Sequence, residues 1–200
     1  YLKVQVNNAA SANITMPEGY SFNTSIQGVT YQFVNITERI IQPGNGIYVF
    51  GPTSGIPVYE GTWTTSRFTV DTSNVDQKFI LPNLGVDIST LKVQVQTSVG
   101  DSTTATYTAA TSLVDITAVT QAYFIQETVD GEWEVYFGDG VVGKSLIDGN
   151  IVILKYVITN GTDANGAVSF TADGGISGFA DITTTTMTAA AGGANAQTLD

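Results

Sequence analysis

The chain has 200 residues, of which 42% are hydrophobic and 12% are charged, and its formal net charge is −11. The absence of cysteine and histidine excludes disulfides, thiolate chemistry and zinc sites built from those residues, and it removes the commonest general base. An acidic chain without a basic patch is not expected to bind nucleic acid. The composition therefore predicts a globular protein with no catalytic, metal or cofactor site, which is not an enzyme.

The first residues carry no membrane signal. No apolar run approaches the roughly 20 residues that span a bilayer, and no charged-then-apolar leader precedes the first strand-like run. We therefore expect no membrane partner. The chain begins at Tyr1, inside that run and without an initiator methionine, which indicates a segment of a longer polypeptide.

Strand-like runs follow one another along the whole sequence, separated by turns that contain Gly, Pro, Asn and Asp. Abundant Thr, Val, Ile, Gly and Asn favour strands and turns over helices. The pattern predicts an all-β fold, mainly antiparallel, with little helix. The predicted strands are 2–6, 12–16, 29–36, 46–50, 58–70, 77–81, 91–97, 104–109, 121–128, 132–137, 151–158 and 166–171.

The sequence predicts two consecutive β-sandwich or barrel-like units and an extended C-terminal segment. Leu-Lys-Val-Gln-Val occurs at 2–6 and again at 91–95, a spacing typical of one β-domain. Pro82, which cannot sit in a central strand, marks a junction. We therefore expect domains at 1–84 and 85–178. The Thr- and Ala-rich stretch 179–200 is predicted to be a linker, or an arm that packs on a neighbouring subunit.

Residues 138–145 read Gly-Asp-Gly-Val-Val-Gly-Lys-Ser, which matches the phosphate-loop pattern at Gly138, Gly143, Lys144 and Ser145. A phosphate loop needs a buried strand before it and a long helix after it, because the helix N-terminus holds the phosphates. Here a turn signal and the β-branched run 151–158 follow directly, which leaves no room for a helix. We therefore interpret the match as a turn, not as a nucleotide site.

Glycine geometry explains the same letters. Gly138, Gly140 and Gly143 are predicted to supply positive φ angles, and Asp139 is predicted to make local side-chain hydrogen bonds beside Gly140. Asp-Gly pairs recur every nine residues, at 130, 139 and 148. This rhythm suits a meander of short strands joined by turns.

Two further patterns could indicate chemistry, and both have a simpler interpretation. Glu132 and Glu134 would share one strand face roughly 6–7 Å apart, a spacing seen for carboxylate pairs in glycosidases. Alternation with Trp133 and Val135 predicts instead that both glutamates form the solvated face of a half-buried strand. Segment 160–166 resembles a calcium loop, but it lacks the acidic first position and the terminal Glu, so a hairpin turn is predicted.

An ordered set of motifs begins with Phe-Gly-Asp-Gly at 137–140, followed by Asp-Gly-Asn at 148–150, Asn-Gly at 160–161 and Asn-Gly at 165–166. This signature resembles that of a known family, the baseplate J-like proteins and the related baseplate wedge proteins of T-even-like phages. Weaker similarity extends to 14–22, 81–93, 123–127 and 192–200. The residues that carry the signature are Phe137, Gly138, Asp139, Gly140, Gly143, Asp148, Gly149, Asn160, Gly161 and Gly166.

The resemblance implies a structural protein of the virion, made in the bacterial host cytoplasm and located in the baseplate of a contractile tail. It implies that the protein forms homo-oligomers and packs against other baseplate and tail proteins. An alternative is an extracellular β-sandwich module that binds a glycan or a receptor through Tyr48, Tyr59 and Trp63. A third class, an NTPase, would use Lys144 and Ser145.

Overall fold

A computed structural model describes residues 1–7, 13–42, 46–112 and 115–194. Within these ranges the chain is all β, as predicted: neighbouring strands are mainly antiparallel, one pair is parallel, and there is no helix that could cross a membrane. The strands are β1 (Leu2–Val6), β2 (Ile14–Met16), β3 (Tyr20–Ile26), β4 (Val29–Asn35), β5 (Arg39–Ile41), β6 (Tyr48–Phe50), β7 (Tyr59–Glu60), β8 (Thr62–Thr69), β9 (Phe79–Leu81), β10 (Val86–Gln96), β11 (Thr104–Ala109), β12 (Ala122–Glu127), β13 (Trp133–Phe137), β14 (Ile151–Ile158), β15 (Thr171–Ala172) and β16 (Ile182–Thr186).

The chain forms two compact units. The first unit combines Tyr1–Trp63 with Thr159–Asp200, and the second unit is Thr64–Ile158. The chain leaves the first unit within β8 and returns to it directly after β14. The second unit is therefore an insertion in the sequence of the first.

The second unit contains a seven-stranded sheet in the order β8-β14-β10-β11-β12-β13-β9. The sheet curls into a nearly closed barrel, because Phe68 of one edge strand meets Phe79 of the other, with ring centroids 5.7 Å apart. The parallel pair β11–β12 needs a crossover, which residues 110–121 supply. Strand β14 lies in the interior of the sheet and is buried at six of its eight positions.

The barrel interior of the second unit is filled by alternating apolar side chains. Leu81, Val135 and Leu154 are fully buried, and each contributes about 1.5–3 kcal/mol relative to an exposed side chain. Phe137 contacts Phe79 and Tyr107 edge to face, with centroids 5.5 and 5.4 Å apart. Phe137 therefore anchors the start of the loop that follows β13 in the core.

The first unit is built from three smaller sheets, in the orders β16-β1-β6, β15-β3-β4-β7 and β2-β5. Strand β1 shows the alternation expected of a sheet with one covered face: Leu2, Val4 and Val6 are fully buried. Their core also contains Phe22, Tyr48 and residues after the insertion, such as Phe170 and Ile176.

These units differ from the predicted boundaries at 84/85 and 178/179. The stretch 82–85 connects β9 to β10, and both strands belong to the same sheet of the second unit. The repeated Leu-Lys-Val-Gln-Val segments do form strands, in β1 and in β10. The second copy of the repeat lies inside the second unit and not at its start, so the repeat does not mark a domain boundary.

The C-terminal stretch is not an arm that leaves its own chain. Residues Ile182–Thr186 form β16, which pairs with all five residues of β1. Beyond it, Met187 N–H donates to Tyr1 O (2.9 Å) and Ala190 N–H donates to Ala167 O (2.9 Å). The predicted arm thus belongs to the first unit as far as residue 194, with Ile182–Thr186 as an edge strand, while 195–200 lie outside the described residues.

Candidate functional site

The Phe-Gly-Asp-Gly signature begins at the end of β13, and residues 138–150 connect that strand to β14. In the sheet β13 and β14 are separated by β12, β11 and β10, so the predicted meander through this region is wrong. Asp130-Gly131 does turn between neighbouring strands, β12 and β13. Asp139-Gly140 and Asp148-Gly149 instead lie in a single long connection, because nine-residue spacing fixes where turns fall but not which strands pair.

The three glycines of this loop have two different roles. Gly140 and Gly143 have φ angles of 87° and 86°, which confirms the predicted positive φ. Gly138 does not have a positive φ, so that prediction is wrong for it. A Cβ atom on Gly138 would lie 2.3 Å from the carbonyl carbon of Gly143 and 2.4 Å from Val142 O. Gly138 is therefore required because two backbone segments meet there.

The carboxylate of Asp139 closes the loop on itself. Its Oδ1 accepts hydrogen bonds from Val141 N–H (2.8 Å) and Val142 N–H (2.9 Å), as predicted for local side-chain bonds at this position. The amides of Val142 and Val141 hold the pKa of the exposed Asp139 side chain below its usual value, because they stabilise the ionised form. The side chain thus takes the place that an anionic ligand would have.

Three other amides of the phosphate-loop match also have hydrogen-bond partners. Gly140 N–H donates to Gly143 O (3.0 Å), Gly143 N–H to Thr117 O (3.2 Å), and Lys144 N–H to Thr120 O (2.8 Å). A phosphate loop works by directing free amides and a helix N-terminus at the phosphate. Here the amides of residues 140–144 have internal partners and β14 follows the loop, so the arrangement fits a structural loop and does not fit a nucleotide site.

Asp139→Asn is expected to lower the thermal midpoint at neutral pH by weakening both hydrogen bonds. A folded-state pKa below the unfolded value of 3.8 means that the carboxylate stabilises the fold above that value and loses this contribution as pH falls through the folded pKa. Scanning calorimetry from about pH 7 to about pH 3 should therefore show the midpoints of the variant and the wild type converge as pH falls. A difference in midpoint that stays constant over this pH range would contradict the role given to Asp139. The control is Asp130→Asn, a change at an exposed turn.

The rest of the loop is tied to its neighbours by further hydrogen bonds. Gly149 N–H donates to Val70 O (2.9 Å), Asn150 Nδ2 donates to Thr97 O (2.8 Å), and Asp148 Oδ1 accepts from Thr72 N–H (3.0 Å). The 138–150 loop is therefore bonded to three other connections of the second unit: 70–78, 97–103 and 115–121.

The remaining signature residues, Asn160, Gly161 and Gly166, belong to the first unit and are not brought together with Phe137 to Gly149 in one compact unit. Glu60 of β7 accepts hydrogen bonds from Asn160 N–H (2.9 Å), Asn160 Nδ2 (2.6 Å) and Thr159 Oγ1 (2.7 Å). Gly166 N–H donates to Ala190 O (2.8 Å). Segment 160–166 forms successive turns, and no cluster of metal-ligating side chains is found among the described residues.

The prediction that Glu134 lies on a solvated face is wrong. Only 8% of Glu134 is exposed, and its Oε2 accepts from Gln126 Nε2 (3.1 Å) and pairs with Lys78 Nζ (3.5 Å). Strands β12 and β9 flank β13 on both sides and cover this side chain, which alternation along one strand cannot reveal. The face opens into a groove of about 360 Å³ that the adjacent hairpin, 127–132, also lines. The Glu134 carboxylate is thus neutralised by a structural ion pair.

The aromatic residues considered for glycan binding do not form an exposed platform. Tyr48 is 1% exposed and belongs to the first core. Trp63 and Tyr59 are half-buried, and Trp63 packs directly on Gly19, since a Cβ there would approach its Cδ1 to 2.8 Å. Tyr48 and Trp63 therefore serve packing.

Sequence reasoning missed a set of exposed aliphatic side chains at loop tips of the second unit. Val75, Val99, Val119 and Val141 are 92%, 83%, 79% and 73% exposed. The sequence pattern that could have revealed them is a β-branched residue among turn-forming residues, as in Asn74-Val75-Asp76 and Gly140-Val141.

Comparison with known proteins gives two matches. Residues 68–160 match the family described as bacteriophage baseplate wedge protein gp6, third domain, and this range nearly coincides with the second unit. The baseplate wedge protein gp6 of Enterobacteria phage T4 is 32% identical over 74 residues, an alignment that covers 30% of this chain and 11% of that relative. The chain thus spans a small part of the relative's length.

Proposed function

We propose that the chain, whose residues 68–160 match the phage baseplate wedge family, builds the wedge of a contractile tail by packing against copies of itself and against other tail proteins. The family match supports a structural protein of the baseplate, located in the tail of the virion. The match to a single compact unit, 64–158, carries the proposal.

The structure of the signature supports a scaffolding role for its residues. In the second unit, Phe137 holds the start of the loop in the core, and Gly138 allows two backbone segments to meet. Asp139 accepts hydrogen bonds from two backbone amides of the same loop. In the first unit, Asn160 fixes the returning chain to Glu60. Such internal bonding suits a rigid part of an assembly, and we propose that the chain has no catalytic activity.

Self-association is supported by the open sheets of the first unit. Each of its three sheets ends in edge strands, and the outer backbone groups of an edge strand can pair with another chain. The acidic net charge of −11 opposes non-specific association between copies. Specific association is therefore left to these edges and to the loops.

Sedimentation velocity over a range of concentrations, with the purified protein alone and with co-expressed proteins of the same tail, tests this proposal. We expect concentration-dependent oligomers or a stable complex with at least one tail protein. A protein that stays monomeric at high concentration and binds none of those proteins would contradict it.

A further inference from the structure

Four connections of the second unit form one surface: 70–78, 97–103, 115–121 and 138–150. Strands β10 and β13 end here and β11, β14 and β9 begin here, as the antiparallel order of the sheet requires. Hydrogen bonds from the 138–150 loop to Val70, Thr97, Thr117 and Thr120 join the other three connections to it. We call these residues the four-loop surface.

Exposed aliphatic side chains are concentrated on the four-loop surface. Six of the nine large hydrophobic residues that are exposed in the described second unit lie on it: Val75, Val99, Val119, Val141, Val142 and Ile147. Each of the four loops presents at least one of them. Single exposed aliphatic residues need no explanation, but a group on one rigid surface is typical of a protein-binding site.

The same surface is strongly acidic. Its charged residues are six aspartates and two lysines: Asp71, Asp76, Asp101, Asp115, Asp139, Asp148, Lys78 and Lys144. Lys78 is paired with Glu134 of β13 (3.5 Å). Hydrogen bonds from Ser73, from Thr103 and from Val142 hold the pKa values of Asp71, Asp101 and Asp139 below their usual value, so these carboxylates stay ionised in mild acid.

We propose that the four-loop surface is the docking site for a different baseplate protein, one that presents an apolar patch surrounded by Lys and Arg. Charge complementarity selects this occupant, because an apolar patch fits the valine tips and basic side chains fit the aspartates. A second copy docked through the same surface would place six aspartates against six, which like-charge repulsion disfavours. The inference rests on the proposed function and names the surface that would carry it.

Zero-length cross-linking of purified baseplates tests the occupant. A carbodiimide couples a carboxylate to an amine within contact distance, so Asp76, Asp101, Asp115 and Asp148 should be joined to lysines of another protein. Cross-links from these residues to a second copy of the chain, or no cross-links, would overturn the proposal. If peptides of the chain are absent from baseplates altogether, the proposed function fails as well, which separates the two outcomes.

A second experiment tests the valine tips in the protein supplied from a plasmid during infection. The variant Val75→Ser, Val99→Ser, Val119→Ser and Val141→Ser should keep its thermal midpoint, because all four side chains are exposed. Its incorporation into baseplates, measured by quantitative mass spectrometry, should fall by at least about tenfold. Wild-type incorporation of this variant would overturn the proposal.

Matched controls come from the β12–β13 hairpin at the opposite end of the same strands. Val129, 99% exposed, and Asp130 lie on that hairpin. Val129→Ser should incorporate like the wild type. In a charge-reversal pair, Asp76→Lys with Asp115→Lys should reduce incorporation, whereas Asp130→Lys should not, and equal effects of both changes would contradict a basic partner at the four-loop surface.

Discussion

Gly138→Ala is expected to destabilise the second unit by about 3 kcal/mol, the upper end of the usual cost of overpacking. A Cβ at this position would lie 2.3 Å from the carbonyl carbon of Gly143 and 2.4 Å from Val142 O. These are backbone atoms, which cannot rotate away as a side chain would. Relief of the clash requires the 138–150 loop to move and to break hydrogen bonds that tie it to its neighbours.

Two other glycines of the second unit provide graded controls. Gly149 has a φ of 78° but open space around its Cβ position, so Gly149→Ala should cost about 1–2 kcal/mol from backbone strain alone. Gly100 has neither a positive φ nor a neighbour within 4 Å, so Gly100→Ala should leave stability unchanged or slightly raised. Urea unfolding of the three variants measures the series. A Gly138→Ala variant as stable as Gly100→Ala would contradict the close backbone approach.

Truncation after Gly178 is expected to unfold the first unit and to leave the second unit folded. It removes β16, which pairs with β1 at five positions, and it removes Ile182 and Ala190 from the first core. At about 1 kcal/mol for each hydrogen bond, plus the lost burial, the cost approaches the whole stability of a small domain. The second unit has its own core between residues 68 and 158.

Hydrogen exchange with mass spectrometry resolves the two units in that experiment. Peptides from 2–6 should lose protection, and peptides from β10 and β14 should keep it. Truncation after Ala194 is the matched control, because it keeps β16 and every residue shown above to pack with it, and it should change neither unit. Retained protection of 2–6 in the shorter protein would contradict the pairing of β16 with β1.

Local pattern was sufficient for the fold class and for the character of the signature loop. Alternation in β1 and the apolar run of β14 both predicted strands, and the missing helix after Ser145 predicted that the phosphate-loop match is structural. The resemblance of residues 137–166 to baseplate proteins is also visible in the sequence, because these structural roles require particular residues at fixed positions. Glycines at backbone crossings and carboxylates that cap local amides leave short, ordered motifs.

The features that the sequence did not predict depend on contacts between segments that are distant in sequence. The sequence pattern does not reveal β3, because its outward residues are Ser and Asn and one of its buried positions is Thr24. It indicates a linker at β16, because four of the five residues of that strand are threonine. Both lie in sheets that only the returning chain completes. Glu134 is buried by the neighbours of its strand, and the domain boundaries are set by an insertion that no local composition change marks.

The most direct test of the central claim is a cryo-EM map of the purified baseplate. A structural wedge protein should appear as density that fits the seven-stranded sheet of the second unit, repeated around the tail axis, with the four-loop surface against a different polypeptide. A baseplate map in which every β-rich density is accounted for by other proteins, with none that fits residues 64–158, would contradict it.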